Sequence, residues 1–255
     1  VDLIAIASGF AVGGIVGLTG VGGGSLMTPL LVGAFRLSPA VAIGTDLWFA
    51  ALTKSGGTLA HHRLGTVDYR VAGLLLAGSL PASIAVIVWL HAGSADRRPQ
   101  GAMSLALGVA LILTAAVLVV RPAWQAVGLR LERLLAGARR QLATVVCGVV
   151  LGALVTLSSV GAGAIGATLI VLLYPRLPTV RVVGTDIAHA VPLTMVAGIG
   201  HASLGHVDWL LLVSLLVGSL PGIWLGARLA RALPERIVRT ALCASLVTAG
   251  AKVIG

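Results

Sequence analysis

From Leu3 to Phe35 the chain carries no Asp, Glu, Lys or Arg. The same holds for Val71 to Ala95, Pro99 to Val120, Gln141 to Pro175, Ile187 to Val207 and Trp209 to Ala227. A helix that crosses the hydrocarbon core of a bilayer needs about 20 apolar residues, and these stretches are of that order. Charged residues make up only 10% of the 255, against about 25% in a soluble domain, so the chain cannot coat a water-facing surface. High apolar content, 58%, excludes disorder. A transmembrane barrel would alternate apolar and polar residues along each strand, and no such alternation occurs. The sequence therefore predicts an all-α polytopic membrane protein. Val1 and Asp2 offer no positive n-region, and the first apolar stretch runs past any cleavage site, so the N-terminus reads as a membrane segment rather than a signal peptide. The absence of an initiator Met leaves room for residues before Val1.

A net charge of +10 in a soluble protein would suggest nucleic acid. Aromatics are only 4%, which leaves no stacking platform for bases, so nucleic acid is not an expected partner. The positive charge reads instead as a topology signal.

About ten helical segments are expected, near 3–18, 25–34, 40–60, 69–91, 101–120, 141–157, 164–174, 180–200, 207–227 and 235–254. The second and seventh follow Gly-rich breaks and are too short to span unaided, the pattern of half-helices or re-entrant hairpins.

An internal repeat orders these segments. A shift of 140 carries Gly44-Thr45-Asp46 onto Gly184-Thr185-Asp186, His61 onto His201, Val67-Asp68 onto Val207-Asp208, and Gly78-Ser79-Leu80-Pro81 onto Gly218-Ser219-Leu220-Pro221. A shift of 139 carries Gly9 and Gly13 onto Gly148 and Gly152, and the break at 18–24 onto that at 157–163. The expected organisation is a first transmembrane repeat over 1–120, a basic cytoplasmic linker over 121–140, and a second repeat over 141–255. Five segments per repeat is an odd number, which makes the second repeat inverted relative to the first. With the linker inside, the arginines at 63–70, 176–181 and 228–239 fall on the same side, while Arg36, Arg97, Arg98 and Lys252 fall on the other. Both termini are then periplasmic or extracellular.

The two breaks, Thr19-Gly20-Val21-Gly22-Gly23-Gly24-Ser25 and Ser158-Ser159-Val160-Gly161-Ala162-Gly163-Ala164, are the first candidates for function. Successive backbone N–H groups can form an anion-binding nest, and a following helix presents its positive end. Hydroxyls of Thr19, Ser25, Ser158 and Ser159 add donors. Close helix packing by small residues is the plainer account, and it fits the Gly9–Gly13–Gly17 steps. It does not call for three consecutive glycines that break a helix.

Of eight acidic residues, four form the pairs Asp46/Asp186 and Asp68/Asp208. The latter stand just before Tyr69 and Trp209, where helix capping beside an interfacial aromatic accounts for them. Asp46 and Asp186 fall near the starts of predicted segments, one residue after Thr45 and Thr185, where capping would also account for them. A charge buried in the membrane is costly, however, and points to function. Thr45 and Thr185 join the breaks as candidate substrate-binding residues. Lys54 is the one cation well inside a segment; it shares a helix face with Thr58 and His61 and could pair with Asp46, attract an anion, or snorkel to an interface. His189 lies three residues after Asp186. His61, Asp46, Asp186, His189 and His201 form the candidate gating or coupling set.

Cys147 and Cys243 stand singly, and no metal-ligand spacing occurs, so no metal site and no cofactor are expected. Gly161-Ala162-Gly163-Ala164-Ile165-Gly166 matches a dinucleotide fingerprint in letters only, since it lacks the strand–turn–helix setting. Pro192 should kink its helix.

The chain resembles the TauE/SafE family of sulfite exporters, also called toluene sulfonate uptake permeases. The resemblance covers nearly the whole chain and rests on Gly-Leu-Thr-Gly-Val-Gly-Gly-Gly-Ser-Leu-Met-Thr-Pro at 17–29, Ala-Ile-Gly-Thr-Asp at 42–46 and Leu-Gly-Thr-Val-Asp-Tyr at 64–69. It implies a transporter of the bacterial inner membrane for small sulfur-containing anions such as sulfite, sulfoacetate, thiosulfate or related organosulfonates, acting as an exporter. The residues themselves reach as far as an anion transporter working by alternating access, with a passive channel or an intramembrane enzyme as the alternatives. Coupling to protons or another ion, and homo-oligomerisation, stay open at this stage.

Overall fold

The computed structural model describes residues 2–19, 24–93 and 98–229. They form ten helices and, among the described residues, no strand: α1 Leu3–Thr19, α2 Gly24–Gly33, α3 Pro39–Arg63, α4 Tyr69–Ala92, α5 Arg98–Val119, α6 Arg121–Leu134, α7 Ala138–Ser158, α8 Ala164–Leu173, α9 Thr179–Ser203 and α10 Trp209–Leu229. Five carry stretches long and apolar enough to cross a bilayer: Tyr69–Ala92, Gly101–Leu118, Ala138–Ser158, Thr179–Ser203 and Trp209–Gly226. Their outer faces expose large apolar side chains such as Val88, Leu105, Val150, Leu210 and Leu220, as a lipid-facing surface requires. The chain is a multi-pass helical membrane protein.

Nine of the helices coincide with expected segments. The expected segment at 235–254 lies outside the described residues. An additional helix, α6, occupies the basic linker. It is short and rich in Arg, so it gives no spanning signal. Trp124 Nε1 donates to the Val117 carbonyl (3.1 Å), and Gln125 Nε2 donates to that of Pro175 (3.4 Å). Gly128 lets it approach the backbone of Val171 and Leu172 on α8, and Arg176 Nε donates to Glu132 at 3.0 Å.

Local chemistry sets the helix ends. Ser38 is extended, accepts from the Val41 amide and is followed by Pro39 at the first position of α3. Asp68 Oδ1 accepts from the amides of Arg70 and Val71 at the start of α4, and Asp208 Oδ1 accepts from Leu211 at the start of α10. Tyr69 and Trp209, the next residues, are more than half exposed. The capping reading of the second acid pair holds.

Glycines carry the tightest helix contacts. Gly9 and Gly13 of α1 lie directly on the backbone of Leu215 and Ser219 of α10, and Gly218 and Gly222 of α10 lie on Ile6 and Phe10. Gly148 and Gly152 of α7 lie on Leu75 and Ser79 of α4, and Gly78 of α4 lies on Val145. These pairs are counterparts under the sequence shifts of 139 and 140: α1 against α10 answers α7 against α4. Between them α3 crosses α9, over a buried cluster that includes Ile43, Leu47, Met103, Val155, Ala190 and Leu193.

Candidate functional site

The Gly-Thr-Asp motifs sit inside α3 and α9, and each of their three residues has a separate role. Gly44 brings α3 against the carbonyl of His206, and Gly184 brings α9 against that of Thr66; a Cβ at either position would collide with backbone. Thr45 Oγ1 accepts from the Asp208 amide (3.0 Å), and Thr185 Oγ1 accepts from the Asp68 amide (2.9 Å). Each half thus grips the loop of the other, in a reciprocal clasp. Both threonines, expected at the substrate, instead spend their hydroxyls on these loops.

The loops are built alike. Gly65 and Gly205 take positive φ, +63° and +74°, just past the ends of α3 and α9, as helix termini favour. His61 Nδ1 donates to Thr66 Oγ1 at 2.8 Å while the Thr66 hydroxyl donates to the His61 carbonyl at 3.1 Å. His201 is fully buried, and its Nε2 donates to the Thr156 carbonyl at 2.9 Å. That fixes the neutral tautomer, so Nδ1 accepts from His206 Nδ1 at 3.4 Å. Burial in the loop, with His91 nearby, holds the His206 imidazole below its ordinary range. His61 and His201 therefore bond within the clasp and to the Thr156 carbonyl.

The third motif residues meet at the centre. Asp46 and Asp186 are buried. Asp46 Oδ2 accepts from Thr28 Oγ1 of α2. The Ser159 hydroxyl faces Asp46 but makes no hydrogen bond, and Asp46 Oδ1 has no partner. Asp186 Oδ1 also has no partner, and its Cγ lies 3.3 Å from the point where a Cβ on Gly166 of α8 would stand. Lys54 lies within electrostatic reach of Asp46, Asp186 and His189. Its ammonium donates to the Ala162 carbonyl at 2.6 Å, so it is directed into the second Gly-rich break rather than out to an interface. His189 Nε2 meets Ser79 Oγ of α4 at 3.0 Å, and its Nδ1 is buried without a partner.

The second break is a formed turn. Ser159 is left-handed (φ 58°), and Gly161 and Gly163 have φ of 122° and 139°, which disfavour any side chain. Ser158 Oγ donates to the Leu154 carbonyl (2.6 Å) and accepts from the Val160 amide (3.2 Å). Its hydroxyl therefore stabilises the turn. The amides of Gly166 and Ala167, in the first turn of α8, bond back to the carbonyls of Gly161 and Gly163. Of the first break, Gly20, Gly22 and Gly23 lie outside the described residues, as do the side chains of Thr19 and Ser25; Thr19 ends α1 and Gly24 opens α2.

The structure thus brings together Asp46, Asp186, Lys54, His189, Ser159 and the turn at 161–163, and sets Thr45, Thr185, His61 and His201 apart. Thr28 and Ser79 were not anticipated, although each lies in a motif already noted, Ser-Leu-Met-Thr-Pro and the repeated Gly-Ser-Leu-Pro. Among the described residues no group of three or more His, Cys, Asp or Glu could hold a metal ion.

A multi-pass helical bundle with ionisable groups sequestered around a broken helix is the architecture of a membrane transporter, and the comparisons agree with that class. A family model described as "Sulfite exporter TauE/SafE" matches residues 5–253. The chain belongs to the TauE/SafE family. It is 36% identical to the probable membrane transporter protein YjnA of Bacillus subtilis, with 98% of each chain covered. It is 27% identical to the probable membrane transporter protein YdhB of the same organism, over 94% of this chain and 95% of the relative. No solved structure matches.

Proposed function

We propose that this membrane transporter is a secondary carrier that exports small sulfur-containing oxyanions (sulfite, thiosulfate, sulfoacetate or a related organosulfonate) across a bacterial inner membrane. The anion binds beside the break at 158–163, facing Lys54 across the α3–α9 crossing. The observation that carries this reading is the Lys54 ammonium, set against the Ala162 carbonyl next to the unpartnered Ser159 hydroxyl. This is a half-buried cation and a hydroxyl at the positive end of a helix, where an anion is favoured. Asp46, Asp186 and His189 line the same centre and act in gating and coupling. The two halves run in opposite senses through the membrane, with the 121–140 linker cytoplasmic and both termini periplasmic. Rocking of one half against the other exposes the centre to each side in turn.

The test is a thermal-shift screen of the purified protein against sulfite, thiosulfate and sulfoacetate, with chloride and simple cations as references. The proposal expects stabilisation by the sulfur oxyanions, and export of the stabilising anion from proteoliposomes. If none of them raises the melting temperature and none is carried, the reading falls.

A further inference from the structure

The charges at the centre do not balance for an anion. Among the described residues, the titratable groups that face one another there are Asp46 and Lys54 on α3 and Asp186 and His189 on α9. The other elements packed against them present neutral groups: the Thr28 hydroxyl on α2, the Ser79 hydroxyl on α4, Ser159 and the Ala162 carbonyl in the break, and Gly166 on α8. With both carboxylates ionised and the imidazole neutral, the one ammonium leaves a net negative site. An arriving anion would add to that excess beside two buried carboxylates, and uncompensated buried charge is expensive.

The geometry supplies acceptors for the missing positive charge. Asp46 Oδ1 and Asp186 Oδ1 are both buried and unbonded, and both carboxylates lie within electrostatic reach of Lys54. A proton on either oxygen removes a negative charge and turns an acceptor into a donor aimed into the site. Resting on the anion reading above, we propose that loading is charge-compensated: each negative charge brought by the substrate is matched by one proton taken up on the Asp46–Asp186 pair. The pair then bonds to the bound oxyanion as acid rather than repelling it as carboxylate. Protons are thereby the coupling ion, two at most per cycle. Lys54, held on the Ala162 carbonyl, is the cation within reach of both carboxylates.

Two anions that do not titrate near neutral pH separate this from its alternatives, methanesulfonate with one charge and sulfate with two. Calorimetric titration of the purified protein in buffers of different ionisation enthalpy counts the protons absorbed on binding. About one is expected per methanesulfonate and about two per sulfate, with the dissociation constants weakening about tenfold and about a hundredfold per pH unit on the alkaline side. Asp46→Asn and Asp186→Asn should each lower the sulfate count by about one. Binding of either anion with no proton uptake and a flat pH profile overturns the inference while leaving the anion site standing. A proton count that ignores both substitutions moves the uptake elsewhere and equally overturns it. Failure of both anions to bind at any pH removes the anion reading itself.

Discussion

The clasps and the centre follow opposite rules. In the clasps the two halves are interchangeable: Gly44 and Thr45 hold the loop at 206–208 as Gly184 and Thr185 hold the loop at 66–68, with nearly equal hydrogen bonds. At the centre they differ. Asp46 and Asp186 correspond, but Lys54 stands where the second half has Thr194, and His189 stands where the first has Phe49. Thr194 Oγ1 is turned back onto the Ala190 carbonyl at 2.9 Å, and Phe49 is buried in a hydrophobic cluster. Symmetry is kept where the halves must fit each other, and given up where a ligand must be held in one orientation.

The largest effect that would break this contrast is at Lys54. Replacing it by Met removes the cation within reach of two buried carboxylates and should abolish anion-dependent stabilisation. Thr194→Met, at the corresponding position, should cost only about 1 kcal/mol and leave the thermal shift with anion in place. Equal behaviour of the two variants would make the centre as symmetric as the clasps. Next comes the scaffold. Gly13→Leu and Gly152→Leu force α1 from α10 and α7 from α4, each by about 1–3 kcal/mol or more, and thermal unfolding in detergent should show similar losses. A marked inequality would mean that the two glycine seams are not equivalent.

The repeat that makes those glycines comparable was plain in the sequence, because insertion and close packing demand the same small and capping residues in both halves. The partner of each motif was not. Gly-Thr-Asp and Gly-x-Val-Asp recur at the same spacing, yet nothing within one half states that its threonine reaches the other half's loop. Within one half alone, Thr45 and Thr185 look like substrate ligands, and His61 and His201 like gating groups. Ser158 differs for another reason: a hydroxyl beside a helix break can serve the turn or the ligand, and the bond to the Leu154 carbonyl shows it serving the turn. Asp46, Asp186 and Lys54 were legible because a charge inside an apolar segment is expensive enough to need a reason.

The smallest effect sharpens a difference between the clasps. His206 occupies the place of Thr66, and its imidazole titrates below the ordinary range. As the pH falls below about 6.5, the unfolded chain takes up a proton there that the folded chain resists. Stability should therefore decline with acidity over that interval. His206→Thr, which copies the other clasp, should flatten this part of the melting-temperature profile. An unchanged slope would assign the acid sensitivity to another group.

The reciprocal clasp also bears on how such a chain is made. While the first half is in the bilayer and the second is still on the ribosome, the loop at 64–68 has no receiver, Gly44 and Thr45 hold nothing, and the seams of α1 and α4 face lipid. Completion waits for residues of the second half, among them Asp208, Leu215 and Ser219. The half-made protein is thus a hand without its glove, exposed to quality-control proteases until its own C-terminal portion arrives, and the finished molecule is fastened by both ends of its translation history.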